Sequence, residues 1–170
     1  GIPSYAEPMI VERDLWLVKE TKCRYHVNHI STKETVEIIR KAKELGLPVT
    51  CDTSPPYFTL NELSLEDYRT FSKLNPPLRS EEDRLSIIEG ICDGTIDAIS
   101  SDHTPQDQDA KRLPFNQAEF GGVGLETLLS LSLNLVKNKY ISVEKLLRLL
   151  TVNPAKILNL DYGMINEQSE

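Results

Sequence analysis

The feature that most constrains the fold is a repeated change of period. In "CRYHVNHIST", Tyr25, Val27 and His29 alternate with Arg24, His26 and Asn28, a two-residue period that marks a strand. The overlapping run "STKETVEIIRKAKELG" takes up helical spacing, with Ser31 and Glu34 placed as a capping box and Gly46 as the stop. "LPVTCDTS" reads as a second short strand, "EEDRLSIIEGICDG" as a helix with apolar Leu85, Ile87, Ile88 and Ile91, and "TIDAISS" as a further strand. Strands near residues 24–28, 48–52 and 96–100, separated by helices, imply parallel β/α units joined by right-handed crossovers.

The flanks are helical. "AEPMIVERDLWLVKETK", with Met9, Ile10, Trp16 and Leu17 among charges, suits an amphipathic helix ending near Lys22. "GLETLLSLSLNLVKN" is a strongly apolar helix, and "SVEKLLRLLTVNPAKILNL" gives two short ones around Asn153-Pro154. Such a pattern fits either a doubly wound open sheet or a (β/α) barrel. No glycine-rich phosphate loop follows a strand, which counts against the nucleotide-binding sheet. His29, Asp52 and Asp102 fall at or just past the carboxyl ends of strands, the rim where barrels place their chemistry. A closed barrel takes eight strands and about 250 residues. The expected fold is therefore α/β, the second half of a (β/α)8 TIM-type barrel over residues 1–160, with a polar tail over 161–170. The open strand edges of a half barrel call for a homo-oligomer or for association with the missing half.

Composition narrows the function. With 39% hydrophobic and 26% charged residues the chain has the makeup of a soluble globular protein. No apolar run is long enough for a membrane span, and "GIPSYAEP" has none of the marks of a secretory signal. Cys23, Cys51 and Cys92 are odd in number and sit in apolar or strand-like contexts, so buried free thiols and a cytoplasmic location are expected. A net charge of −7, with Lys and Arg scattered, argues against nucleic acid and for small molecules or proteins as partners.

The run from "GIPSYAEPMIVERDLWLVKETKCRYHVNHIST" through "KLNPPLRSEEDRLSIIEGICDGTIDAISSDHTP" to "FGGVGLETLL" resembles the carboxyl-terminal half of class I dihydroorotases, of the amidohydrolase superfamily. The resemblance implies a zinc-dependent barrel that interconverts carbamoyl aspartate and dihydroorotate in pyrimidine synthesis. It also implies further metal ligands, an HxH pair and an acidic or carboxylated group, upstream of Gly1.

Carried over residue by residue, the resemblance makes His29 a metal ligand, apt because neutral imidazole suits zinc. Asp102 becomes both metal ligand and catalytic proton shuttle. Asn75 in "KLNPPLR" becomes a substrate contact, and Gly121 part of a loop whose backbone approaches the substrate ring. His26 is read as structural, on the opposite face of its strand from His29, and His103 as a loop hydrogen-bonding residue. Two positions depart from the family. Pro55-Pro56-Tyr57-Phe58 stands where Pro-His-His-Leu is usual on the sixth strand, so Tyr57 replaces a metal histidine. Gln106 replaces a histidine that helps hold the substrate carboxylate, and brings no positive charge. Three functions remain: an active dihydroorotase with one zinc or two, a catalytically inactive subunit scaffolding a partner such as aspartate transcarbamoylase, and a hydantoinase-like or allantoinase-like hydrolase.

Overall fold

The computed structural model describes residues 2–164. In chain order its regular elements begin with α1 (Ala6–Thr21), β1 (Tyr25–Val27), α2 (Lys33–Glu44), β2 (Val49–Thr53) and α3 (Pro55–Thr59). Two single-turn 3₁₀ helices, Glu62–Leu65 and Thr70–Ser72, lead to α4 (Glu81–Asp93) and β3 (Ala98–Ile99). The chain continues through α5 (Gln108–Arg112), α6 (Leu128–Lys137), α7 (Val143–Leu150) and α8 (Val152–Ile157).

The three strands form one parallel sheet in the order β1-β2-β3, with Tyr25 opposite Val49 and Asp52 opposite Ala98. Parallel neighbours need crossover connections, and α2 and α4 provide them, packing on each other while α1 packs on α2. The fold is thus the expected parallel β/α barrel segment. Its core is the sheet-to-helix layer, where Val36, Ile39, Cys51, Ile87 and Ile91 are fully buried. β3 pairs over two residues only, although the backbone ladder runs on through Ser100 N–H to Thr53 O at 2.9 Å.

Several local expectations need correction. α2 is capped by Thr32, whose hydroxyl accepts from Thr35 N–H, because Ser31 is engaged by Glu7 through its N–H and hydroxyl. The capping box that does form is Ser80 with Asp83, opening α4. On α1 the buried face carries Val11, Leu15 and Val18, whereas Met9, Ile10, Trp16 and Leu17 are exposed. Pro55 to Phe58 lie in α3, just past β2, and not on a strand; prolines in the first turn forfeit no helical hydrogen bond. α6 begins at Leu128, after a turn over residues 125–127. Only Cys51 among the cysteines is buried, with its thiol pushed far above the ordinary range by burial; Cys92 is half-buried and Cys23 exposed. The polar tail expected from Asp161 is irregular through Met164, and its remainder lies outside the described residues.

Above the carboxyl ends of the strands lies a layer of loops with a different construction. Its apolar cluster is small, Tyr57, Leu74 and Leu78. Two buried lysines hold it together. Lys73 Nζ donates to Phe115 O at 2.7 Å and Ala118 O at 2.5 Å, and stands over the rings of Phe115 and Phe120. Lys111 Nζ donates to Thr70 O at 3.1 Å, Glu119 O at 2.8 Å and Lys73 O at 3.4 Å. The first loop, residues 70–79, is thereby fastened to the second, residues 103–124.

Candidate active site

β1 and β2 place their polar side chains on one face. His26 pairs in register with Thr50, and Asp52 lies two residues further along β2, so pleating points all three to the same side. His26 Nε2 is 3.0 Å from Asp52 Oδ2, and Nδ1 is 2.7 Å from Thr50 Oγ1. This corrects the expectation that His26 faces away from His29. Past Val27 the strand ends and His29 takes a left-handed conformation, φ 54°, which swings its ring back over Asp52. The alternation argument assumed that the strand continues through His29, and it does not.

Asp52 is the hub. Its Oδ1 accepts from His29 N–H at 3.0 Å, His29 Nδ1 at 3.0 Å and the Ser100 hydroxyl at 2.7 Å. Burial opposes its charge, but the hydrogen bonds from His26, His29 and Ser100 prevail and hold it well below the usual carboxylate range. Asp52 is therefore ionised and accepts the Nδ1 proton of His29, so that the ring in its neutral form has its lone pair on Nε2. The hydrogen bond it donates to Asp52, against a smaller opposing effect of burial, raises the pKa of His29.

His29 Nε2 faces Asp102 Oδ1 at 3.5 Å. Asp102 also has a left-handed backbone, φ 48°, so both residues sit in a conformation that costs energy outside glycine. Burial raises the pKa of Asp102, His29 lowers it and Asp52 raises it again, leaving a net increase. The Tyr57 hydroxyl lies against the same carboxylate and donates to Pro76 O at 2.8 Å; burial first, then Asp102, pushes its pKa far up. Two donors on one tetrahedral metal at about 2.0–2.1 Å stand roughly 3.4 Å apart, so the His29–Asp102 separation fits ligands of a single ion. Among the described residues no third His, Cys, Asp or Glu joins them.

The structure brings His29 and Asp102 together in this cluster and puts the other named residues in the loop layer. Asn75 is exposed at the bend before Pro76, the residue that Tyr57 grips. Gln106 Nε2 donates to Phe120 O at 3.1 Å, and Gly121 N–H to Lys73 O at 3.0 Å. Gly121 has φ +117°, and a Cβ there would collide with the Thr104 carbonyl, so packing between loop segments already requires glycine. His103 Nδ1 accepts from Gly124 and Leu125 N–H, the loop role expected of it. Sequence reasoning put Asp52 on the rim without giving it a task. An acidic residue at a strand end, two positions beyond the register partner of a histidine, was the available signal.

A half-buried imidazole and a carboxylate thus converge at the carboxyl ends of parallel strands, and the chain belongs to the amidohydrolase family, whose profile matches residues 9–170. It is 47% identical over 165 residues to a dihydroorotase from Desulforapulum autotrophicum, covering 97% of this chain and 39% of that protein. It is 49% identical over 166 residues to a dihydroorotase from Anaplasma phagocytophilum, covering 97% of this chain and 37% of that one. The L-hydantoinase (dihydropyrimidinase) from Arthrobacter aurescens superposes with a TM-score of 0.92 at 31% identity, over 98% of this chain and 38% of that structure. The chain thus spans less than two fifths of the length of these relatives.

Proposed function

We propose that this chain is the part of a dihydroorotase that carries the water-activating aspartate, in an enzyme interconverting N-carbamoyl-L-aspartate and dihydroorotate in pyrimidine biosynthesis. The observation that carries the reading is His29 Nε2 facing Asp102 at 3.5 Å while Asp52 holds the other ring nitrogen. His29 and Asp102 would hold zinc, with the remaining ligands supplied from beyond the described residues. A bound zinc ion supplies Lewis-acid polarisation of the ring carbonyl and a lowered water pKa. In the hydrolytic direction Asp102 takes the proton of the attacking water and returns it to the ring nitrogen as the carbon–nitrogen bond breaks. One ion is the better supported number, since a phenol held protonated by burial makes Tyr57 a poor ligand for a second. Asn75, Gly121 and Gln106 form the substrate-facing loops, and three free thiols fit a cytoplasmic enzyme.

The test is hydrolysis of dihydroorotate by the complete protein with saturating zinc, alongside a hydantoin as competitor substrate. Asp102→Asn keeps the shape and removes the base, so turnover should fall about 100-fold or more with an unchanged circular dichroism spectrum. Turnover that survives the substitution would defeat the assignment. The scaffold reading is favoured by one observation, that the Gln106 amide is engaged by Phe120 O. An inactive parent that still binds a partner such as aspartate transcarbamoylase would establish it.

A further inference from the structure

We infer that His26 is a positioning residue for the metal-facing imidazole: it fixes the carboxylate of Asp52, which in turn holds His29 with its proton on Nδ1 and its Nε2 turned to Asp102. The inference rests on reading His29 as a metal ligand. Asp52 Oδ1 has three donors, whereas among the described residues His26 is the one side chain that reaches Oδ2. The Asp52 side chain is 8% exposed, so water does not readily replace a lost partner there. Rotation about the Cβ–Cγ bond of an aspartate is soft, and it would lift Oδ1 from the Nδ1 of His29. A donor on Oδ2 stops that rotation.

His26 is itself held by the fold. It sits opposite Thr50 in the parallel register, and its Nδ1 is 2.7 Å from the Thr50 hydroxyl. Because Asp52 is an acceptor only, His26 Nε2 carries the proton, and the Thr50 hydroxyl donates to Nδ1. The result is a directional chain, Thr50 to His26 to Asp52, that meets the His29 Nδ1–H on the far oxygen. Partners that orient a metal-binding histidine typically matter 10–100-fold in metal affinity.

The experiment compares His26→Leu with His26→Gln, which keeps a side-chain N–H donor. Imidazole nitrogen NMR on the metal-free protein should show His29 protonated on Nδ1 in the unmodified chain and a mixture of tautomers in His26→Leu. His26→Gln should restore most of the Nδ1–H form. Zinc affinity, measured by competition with a chromophoric chelator, should fall about 10-fold in His26→Leu and recover in His26→Gln. An unchanged tautomer in His26→Leu, or a loss that His26→Gln does not repair, overturns the inference. If the unmodified protein binds no zinc, the metal reading fails, while the tautomer comparison still decides the role of His26. Should His26→Leu fail to fold, Thr50→Val removes only the hydroxyl that orients His26; it should shift the tautomer in the same direction, and no shift counts against the idea.

Discussion

The sheet-to-helix layer and the loop layer above it are built on opposite principles. Below the rim, Val36, Ile39, Ile87 and Ile91 interdigitate with no exposure, and the interactions have no direction. Above it, the segments around Asn75 and Gly121 rest on Lys73 and Lys111, which donate to five backbone carbonyl contacts between them. Apolar burial tolerates small shifts of side chains, whereas an ammonium surrounded by carbonyl oxygens accepts one arrangement of the peptides around it. The lower region therefore sets whether the chain folds, and the upper region sets where individual backbone groups stand. That division suits a β/α barrel, in which functional side chains come from strand ends and from the loops that follow them.

The comparison breaks first at Ile39. Its replacement by alanine should cost about 3 kcal/mol of global stability, read as a lower urea midpoint common to fluorescence and circular dichroism. A midpoint that moves in only one of the two signals would mean that the layers do not unfold together. Lys111→Met is the sharper probe of the upper layer. It removes the ammonium donor from Thr70 O, Glu119 O and Lys73 O, the last of which keeps the Gly121 N–H, at a cost of about 1 kcal/mol for these largely part-buried contacts. Amide exchange should accelerate around residues 70–73 and 119–121 while α2 and α4 keep their protection. Equal acceleration in α4 would show that the lysine supports the whole fold rather than the loops.

The two layers also differed in how far they could be read from sequence. Period-two and helical spacing exposed the strands and crossovers, because side chains that alternate or recur by turn leave that mark directly. The rim residues His29, Asp52 and Asp102 followed from where those strands stop. The mutual geometry was hidden for a physical reason: His29 and Asp102 adopt left-handed backbones, and alternation cannot be extended through such a residue. That is why His26 was assigned to the wrong face. Met9, Ile10, Trp16 and Leu17 misled in the other direction, since hydrophobicity reports a tendency to bury and not which neighbour is present to cover a face. The lysine staples had no readable signal, because their acceptors are backbone carbonyls carried by any residue.

The smallest effect tests a contact that belongs to neither layer. On the outer side of β1, the Tyr25 hydroxyl donates to Asp14 at 2.9 Å and ties α1 to the sheet by one polar bond. Burial, and then the hydrogen bond to Asp14, raise the Tyr25 pKa from 10.0 to about 12. A folded-state pKa above the unfolded one means that the native chain keeps its proton longer. The contribution to stability is therefore complete below pH 10 and is lost as the pH rises towards about 12. Urea midpoints taken across that interval should fall more steeply for the unmodified protein than for Tyr25→Phe, which has no proton to lose. In Asp14→Asn the phenolate absorbance of Tyr25 should appear at lower pH, because the anionic acceptor is gone while the burial remains. Parallel midpoint curves for the parent and Tyr25→Phe would show that the Tyr25–Asp14 bond adds nothing to the hold on α1, which would then rest on Val11, Leu15 and Val18 and on the Glu7 carboxylate that Ser31 and Thr32 reach.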